Sequence, residues 1–195
     1  FAESMNGLEV EMVSVKDRSA KREREHFNRC LVAVGRQPNT RDLGLEAVGV
    51  EIDTKGFVKV DSQFRTTREG IFAIGDMVGP PMLAHTATHQ GRTVAEVING
   101  NSVVYEPRAV PAVVFTDPEI AWCGLTEQEA KDRDLDVKIL RFPHAASGRA
   151  GTHGDTTGLT KLLADASTGR ILGAGIVGPD AGELIGEAVL AVEMG

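Results

Sequence analysis

The residues whose types and spacing could do chemistry are a carboxylate at the end of an apolar run, Ile71-Phe72-Ala73-Ile74-Gly75-Asp76, and, six residues on, Met82-Leu83-Ala84-His85 at the start of a helical pattern. An acidic side chain at the end of an apolar strand stands where ligands bind in open sheets, and its two oxygens accept hydrogen bonds from sugar or polyol hydroxyls. A helix start adds N–H groups and a positive dipole end that favour negative charge docked against them. Together these suit a cofactor that becomes anionic when reduced. The competing reading on local composition is an Asp that merely opens a turn after a strand. His85 and His89 stand i, i+4 on one helix face, a spacing compatible with zinc, but no third ligand accompanies them and no metal is expected. Cys30 and Cys123 are too few for a disulfide framework and too far apart for a CxxC motif, so they read as small apolar residues. His144 and His153 read as loop residues.

These groups need elements to position them. Residues 8–15 alternate and residues 27–34 form a nearly continuous apolar run, two strand patterns separated by a charged stretch, 16–25. The alternating signs of Lys21 to Glu25 predict a solvated loop. Segments 50–53 and 57–60 flank Thr54-Lys55-Gly56, the composition of a tight hairpin, and 71–74 reads as a short strand. A helix is expected over 84–98 with Ala87, Gly91, Val94, Ala95 and Ile98 on one face, closed by Asn99-Gly100. Residues 107–111 read as a linker. Beyond it come strand patterns at 113–115, 137–142, 159–164 and 171–177. A helix opened by the capping box Thr126 to Glu129 runs to 134, Ser167-Thr168-Gly169 is a turn, and an amphipathic helix spans 181–194. Runs of strands with segregated helices make an α+β fold.

Composition narrows the partners. A net charge of -7 gives no concentrated basic face for nucleic acid or an anionic membrane, and no window approaches the roughly 18 apolar residues of a spanning helix. Neither partner is expected, and a cytoplasmic location is. Position 1 is Phe, residues 1–5 have no visible partner strand, and the last helical pattern stops at Gly195, so a fragment is expected.

Several motifs in order carry a resemblance. Thr67-x-x-x-Ile71-Phe72-Ala73-Ile74-Gly75-Asp76 resembles the second flavin-binding motif of the pyridine nucleotide–disulfide oxidoreductases, and Pro81-Met82-Leu83-Ala84-His85 resembles the flavin-contacting segment of the dihydrolipoamide dehydrogenases among them. Ala33-Val34-Gly35-Arg36-Gln37-Pro38-Asn39 is similar to the end of the family's NAD domain. Phe115 to Ala121 with Gly124-Leu125-Thr126, and Thr160-Lys161-Leu162 through Gly173 to Gly178, are similar to its dimerisation domain. The resemblance spans nearly the whole chain but only the second half of the family's length. It implies an end of an NAD-binding domain at 1–36, a C-terminal part of the FAD-binding or central domain at 37–107, and a dimerisation domain with an antiparallel sheet and flanking helices at 108–195.

The resemblance also implies roles. Asp76, with Gly75, would hold the ribityl chain of FAD, Met82, Leu83, Ala84 and His85 would line the flavin, and Gly35 would offer its backbone to NAD. The family usually shows His-Lys-Ala where this chain has His85-Thr86-Ala87, and His85 is read as a backbone or packing contact. Family catalysis moves electrons from dihydrolipoamide through a Cys-x-x-x-x-Cys pair to FAD and then NAD, with a His–Glu base. Neither cysteine here has that spacing, with Cys123 expected in the turn before Gly124, and the Gly-x-Gly-x-x-Gly phosphate loops are missing. The implied parent is a homodimeric flavoprotein oxidising a lipoyl group beside the acyltransferase of a 2-oxo acid dehydrogenase complex. The chain alone is expected to be inactive and to hold FAD weakly or not at all. The alternatives are a mercuric or glutathione reductase, or a dimerisation module without catalysis.

Overall fold

The computed structural model describes residues 2–4, 7–17, 19 and 21–195. They fall into two units, 1–37 and 38–195. In the first unit β1 (Ala2–Ser4), β2 (Gly7–Met12) and β3 (Glu23–Phe27) form an antiparallel sheet in that order. β1 pairs with β2, so 2–4 do have a partner strand, against expectation, while Phe1 and Met5 lie outside the described residues.

The charged run is not a loop: β3 takes up Glu23 to Phe27, with every residue exposed. Cross-strand charge explains it. Arg22 Nη1 donates to Glu11 Oε1 at 2.6 Å, and Arg24 reaches Glu11 and Glu9 at 3.0 and 3.2 Å, so alternating signs become opposite charges facing each other across two strands. Conversely, residues 28–34 form no strand, and Leu31, Val32 and Val34 are exposed. An apolar run of this kind becomes a strand only when neighbours pair and cover it, and among the described residues none does.

In the second unit, residues 38–83 are mostly irregular around a small core of Val50, Val58 and Ala73. The expected hairpin is present as an antiparallel bridge, Ile52 to Val58, with Asp53 N–H donating to the Phe57 carbonyl at 2.8 Å. The expected strand at 71–74 is extended chain with one bridge, Arg65 to Phe72. Helix α1 (Ala84–Ile98) follows and ends at Asn99-Gly100. Its buried residues are Thr86, Gln90 and Val97; of the face expected, Ala87, Gly91 and Val94 are half-buried, whereas Ala95 is exposed and Ile98 is 67% exposed. The inward stripe is mixed because Gln90 accepts a hydrogen bond from Gly75 N–H while Val97 packs.

The rest is a five-stranded antiparallel sheet with helices, as an α+β reading requires. It comprises β4 (Ala112–Val114), β5 (Ile120–Gly124), α2 (Glu127–Asp132), β6 (Val137–Pro143), α3 (Gly148–His153), β7 (Leu159–Asp165), β8 (Ile171–Val177) and α4 (Ala181–Met194). Strand order is β4-β5-β8-β7-β6. Helix α4 packs on β5 and β8, burying Ala121, Cys123, Ala174, Ile176, Ala181, Ile185 and Val192 in one core. Thr126 caps α2 in a capping box with Glu129, as the sequence predicts. Asp165 Oδ1 closes the 165–169 turn by accepting from Ser167 and Thr168, which together hold this carboxyl far below the usual carboxylate range.

Cys123 is not in a turn. It lies in β5, 1% exposed, opposite Ala174 of β8. His144 begins a 3-10 turn and His153 ends α3, so neither is a plain loop residue. Among the described residues no helix is long and apolar enough to cross a membrane.

Candidate functional site

The chain reaches Asp76 along an anchored path. Thr66 N–H and its hydroxyl both donate to the Ile71 carbonyl, at 3.0 and 2.9 Å, and Ala73 N–H donates to the Phe64 carbonyl at 3.1 Å. The Arg65 guanidinium lies 5.4 Å above the Phe72 ring. Gly75 then adopts φ +75°, which turns the extended chain into the 3-10 segment Gly75–Val78. This is a close approach as well as a turn, since a Cβ on Gly75 would sit 3.2 Å from that of Ala87 in α1.

Two bonds fix the 3-10 segment from opposite sides. Gly75 N–H donates to Gln90 Oε1 of α1 at 2.6 Å, and the Met77 carbonyl accepts from Val58 N–H at 2.8 Å. Asp76, half-buried, is therefore held between the small core and α1. Gln90, 6% exposed, is the residue that sequence reasoning missed. The available signal was the i, i+4 pair Thr86 and Gln90, polar residues in line with Val97, which a search for apolar spacing passes over.

Helix α1 begins without a side-chain cap, because Leu83 takes the N-cap position in extended conformation. Met82 and Leu83 are half-buried, whereas Ala84 and His85 are exposed. His85 Nε2 donates to the Pro111 carbonyl at 2.8 Å, so its ring is tied to backbone. The structure thus places Gly75, Asp76 and the start of α1 in one unit, with the 3-10 segment packed on the helix. Gly35 belongs to the other unit, where it is exposed at φ +132° with open space on its Cβ side. Among the described residues no group of three or more His, Cys, Asp or Glu is placed to hold a metal.

The expected linker at 107–111 is pinned. Glu193 Oε1 of α4 accepts from Arg108 and Ala109 N–H, both at 2.9 Å, and Ala109 joins the core of the sheet unit. A glutamate at the end of a helix carries no motif, and no pattern in the sequence pointed to it.

Two family models match successive stretches: the pyridine nucleotide-disulphide oxidoreductase model over residues 2–91, and that family's dimerisation-domain model over 110–195. A dihydrolipoyl dehydrogenase of Vibrio cholerae is 47% identical over 94% of this chain, which spans 38% of the relative. One from Thermus scotoductus is 45% identical over the whole chain, covering 42% of its own length. Among solved structures, LpdA of Mycobacterium tuberculosis superposes with a TM-score of 0.82 at 31% identity, over 97% of this chain and 40% of that one. The Cu(II) complex of the flavoprotein disulfide reductase RclA of Escherichia coli gives 0.86 at 28% identity, over 98% and 43%. The chain spans about two fifths of the length of these relatives.

Proposed function

The chain belongs to the pyridine nucleotide-disulphide oxidoreductase family, and from that premise we propose that it is part of a homodimeric dihydrolipoamide dehydrogenase that uses FAD and NAD. The observation that carries the reading is the half-buried Asp76, fixed on α1 through the Gly75 to Gln90 hydrogen bond and followed by a helix start without a side-chain cap. These residues fit a flavin: a carboxylate for polyol hydroxyls, a glycine at positive φ where a Cβ would crowd Ala87, and a helix N-terminus for developing negative charge. When bound, the flavin supplies two-electron transfer between a dithiol and a nicotinamide.

In this reading Asp76 and Gly75 position the ribityl chain. Met82, Leu83, Ala84 and His85 line the flavin, with His85 holding its place through Pro111 rather than moving protons. Gly35 offers backbone to NAD. Residues 1–36, 37–107 and 108–195 correspond to the NAD-domain end, the central part and the dimerisation domain. The substrate is a lipoyl group and the partner an acyltransferase of a 2-oxo acid dehydrogenase complex, in the cytoplasm, where reducing conditions keep Cys30 and Cys123 as free thiols. No Cys-x-x-x-x-Cys pair occurs in these 195 residues, so the chain alone is without turnover.

The test is flavin retention. In the whole protein, Asp76→Ala weakens FAD binding about tenfold or more while the dimer persists, since a hydrogen bond to a charged group contributes roughly 1.5–3 kcal/mol. Unchanged flavin affinity refutes the assignment. The isolated chain, mixed with FAD and passed through gel filtration, emerges colourless; stoichiometric yellow protein contradicts the expected weak binding.

A dimerisation module is a second reading, favoured by a specific patch. Leu140 and Phe142 lie on one face of β6 and are 52% and 50% exposed, and Leu184 of α4, lining the same cavity as Phe142, is 51% exposed. Sedimentation of the chain then gives a dimer that Leu184→Glu converts to monomer.

A further inference from the structure

Among the asparagines of the chain only Asn6 and Asn99 precede a glycine, and Asn6 lies outside the described residues. An asparagine before glycine is chemically labile, because the following residue has no Cβ to shield its backbone nitrogen from the side-chain amide carbon. Asn99 is exposed at the C-cap of α1, and its side-chain amide makes no hydrogen bond among the described residues. Gly100 is exposed at φ +89°, with nothing within 4 Å of where a Cβ would stand. The other described asparagines are worse placed. Asn28 and Asn39 precede Arg29 and Thr40, whose Cβ atoms flank the nitrogen, and Asn101 precedes Ser102 and donates from its amide to Glu96 Oε2.

The helix end also supplies a brake. Gly100 N–H donates to the Val97 carbonyl and Asn101 N–H to the Glu96 carbonyl, both at 3.0 Å, the paired bonds of a Schellman motif with a glycine at positive φ. While they hold, the Gly100 nitrogen is engaged as a donor and the backbone at Asn99 is fixed. Terminal turns open far more readily than helix interiors, so the nitrogen is released each time this end frays.

We propose that Asn99 is a site of spontaneous deamidation, gated by opening of the C-terminal cap of α1. The Gly100 nitrogen attacks Asn99 Cγ, the Cγ–Nδ2 bond breaks, and ammonia leaves carrying the Gly100 proton, which gives a five-membered cyclic imide. One water then opens the ring at Cγ to aspartate, or at the backbone carbonyl carbon to isoaspartate. Nothing is oxidised or reduced, and water is the co-reactant. Either product sets a carboxylate at the negative end of the helix dipole and one turn from Glu96, and both repel it. Isoaspartate also lengthens the backbone by a methylene, which breaks the paired cap bonds. The 101–105 segment is loosened next, although Gln63 Nε2 holds the Val103 carbonyl at 2.9 Å and Tyr105 packs on Phe64.

Peptide mapping of the aged protein tests it. The whole protein, kept in warm, mildly alkaline buffer and digested with trypsin, yields aspartate and isoaspartate at position 99 of the 93–108 peptide, located by electron-transfer fragmentation, while 28, 39 and 101 remain amides. Gly100→Ala slows the conversion about tenfold or more, even though alanine at φ +89° weakens the cap. Should that variant not fold, the same slowing is read with it and the parent both unfolded in urea. Glu96→Ala, which removes the Asn101 side-chain contact, speeds the conversion of the folded protein about two- to fivefold. Asn99→Asp, itself one product, lowers the thermal midpoint and speeds amide exchange in the last turn of α1 and in 101–105. The site is refuted if folded Asn99 converts no more than 28, 39 and 101 by the time the urea-unfolded parent has converted there, or if Gly100→Ala reacts as fast as the parent. An unchanged rate in Glu96→Ala refutes the gate, and an Asn99→Asp protein as stable as the parent refutes the loosening.

Discussion

Gln90 bears more of the site than its position on a helix suggests. Its Oε1 is the acceptor for Gly75 N–H, and the next residue along is Asp76. Gln90→Leu keeps the volume but leaves a part-buried N–H without a partner, a change that costs about 1–3 kcal/mol. Urea unfolding of the chain checks this, and a variant as stable as the parent would mean that the bond contributes nothing. Gly75→Ala is unfavourable for separate reasons, the positive φ and the Ala87 contact, so the two substitutions share one neighbourhood and their costs should not add. The two cysteines differ in the same residue-level way. Cys30 is exposed, whereas burial in β5 pushes the Cys123 thiol up and keeps it protonated. A chromogenic disulfide reagent at neutral pH therefore titrates one thiol quickly in the native chain and two after unfolding; two fast thiols would place Cys123 outside the core.

At the scale of elements, α2 shows how local chemistry writes a helix into a sequence. Thr126 Oγ1 accepts from Glu129 N–H at 3.2 Å while Glu129 Oε2 accepts from Thr126 N–H at 2.8 Å. Thr126→Ala should cost about 1 kcal/mol. Faster amide exchange confined to 127–130 would mark the loss as local, and an unchanged unfolding midpoint would show the cap to be idle. The three helices α1, α2 and α4 were legible because a 3.6-residue period or a capping box is local information. β6, β7 and β8 were legible for an analogous reason, short apolar runs bounded by turn residues. What was not legible depends on partners distant in sequence. β5 alternates Ile120, Ala121, Trp122, Cys123, but its small inward residues look like strand interior only once Ala174 and Ile176 lie opposite them. β3 needed the acidic residues of β2 to make its charges complementary, and 28–34 looks like a strand without acquiring one. In the candidate site, Asp76 and Met82 to His85 could be named from their motif, but Gln90 and the Glu193 anchor could not, because neither lies in it.

Across the whole molecule, titration sets the limits of stability. Glu11 is held below the usual carboxylate range by Arg22 and Arg24, Glu127 by Lys161 and then Arg141, Glu129 by the Thr126 N–H and hydroxyl, and Asp53 by Phe57 N–H. A carboxyl whose pKa is lower folded than unfolded contributes its full stabilisation above the unfolded value, about 4, and loses it as pH falls toward the folded value. These carboxyls all reach solvent at the surface, so each contributes little and the acid limb is a gradual slope rather than a step. The opposite sign applies to Cys123 and Tyr105, both raised by burial. Their neutral forms suit the fold, and stability is lost as pH climbs past the unfolded thiol value of about 8.5 and then the phenol value of about 10. The thermal midpoint is thus expected to be level from roughly pH 5 to pH 8 and to fall on either side. Calorimetry of Cys123→Ala separates the limbs: its midpoint is lower throughout for lost packing, its acid limb keeps the parent's slope, and its alkaline decline starts later. An alkaline limb that begins at the same pH in that variant would assign the decline to other groups.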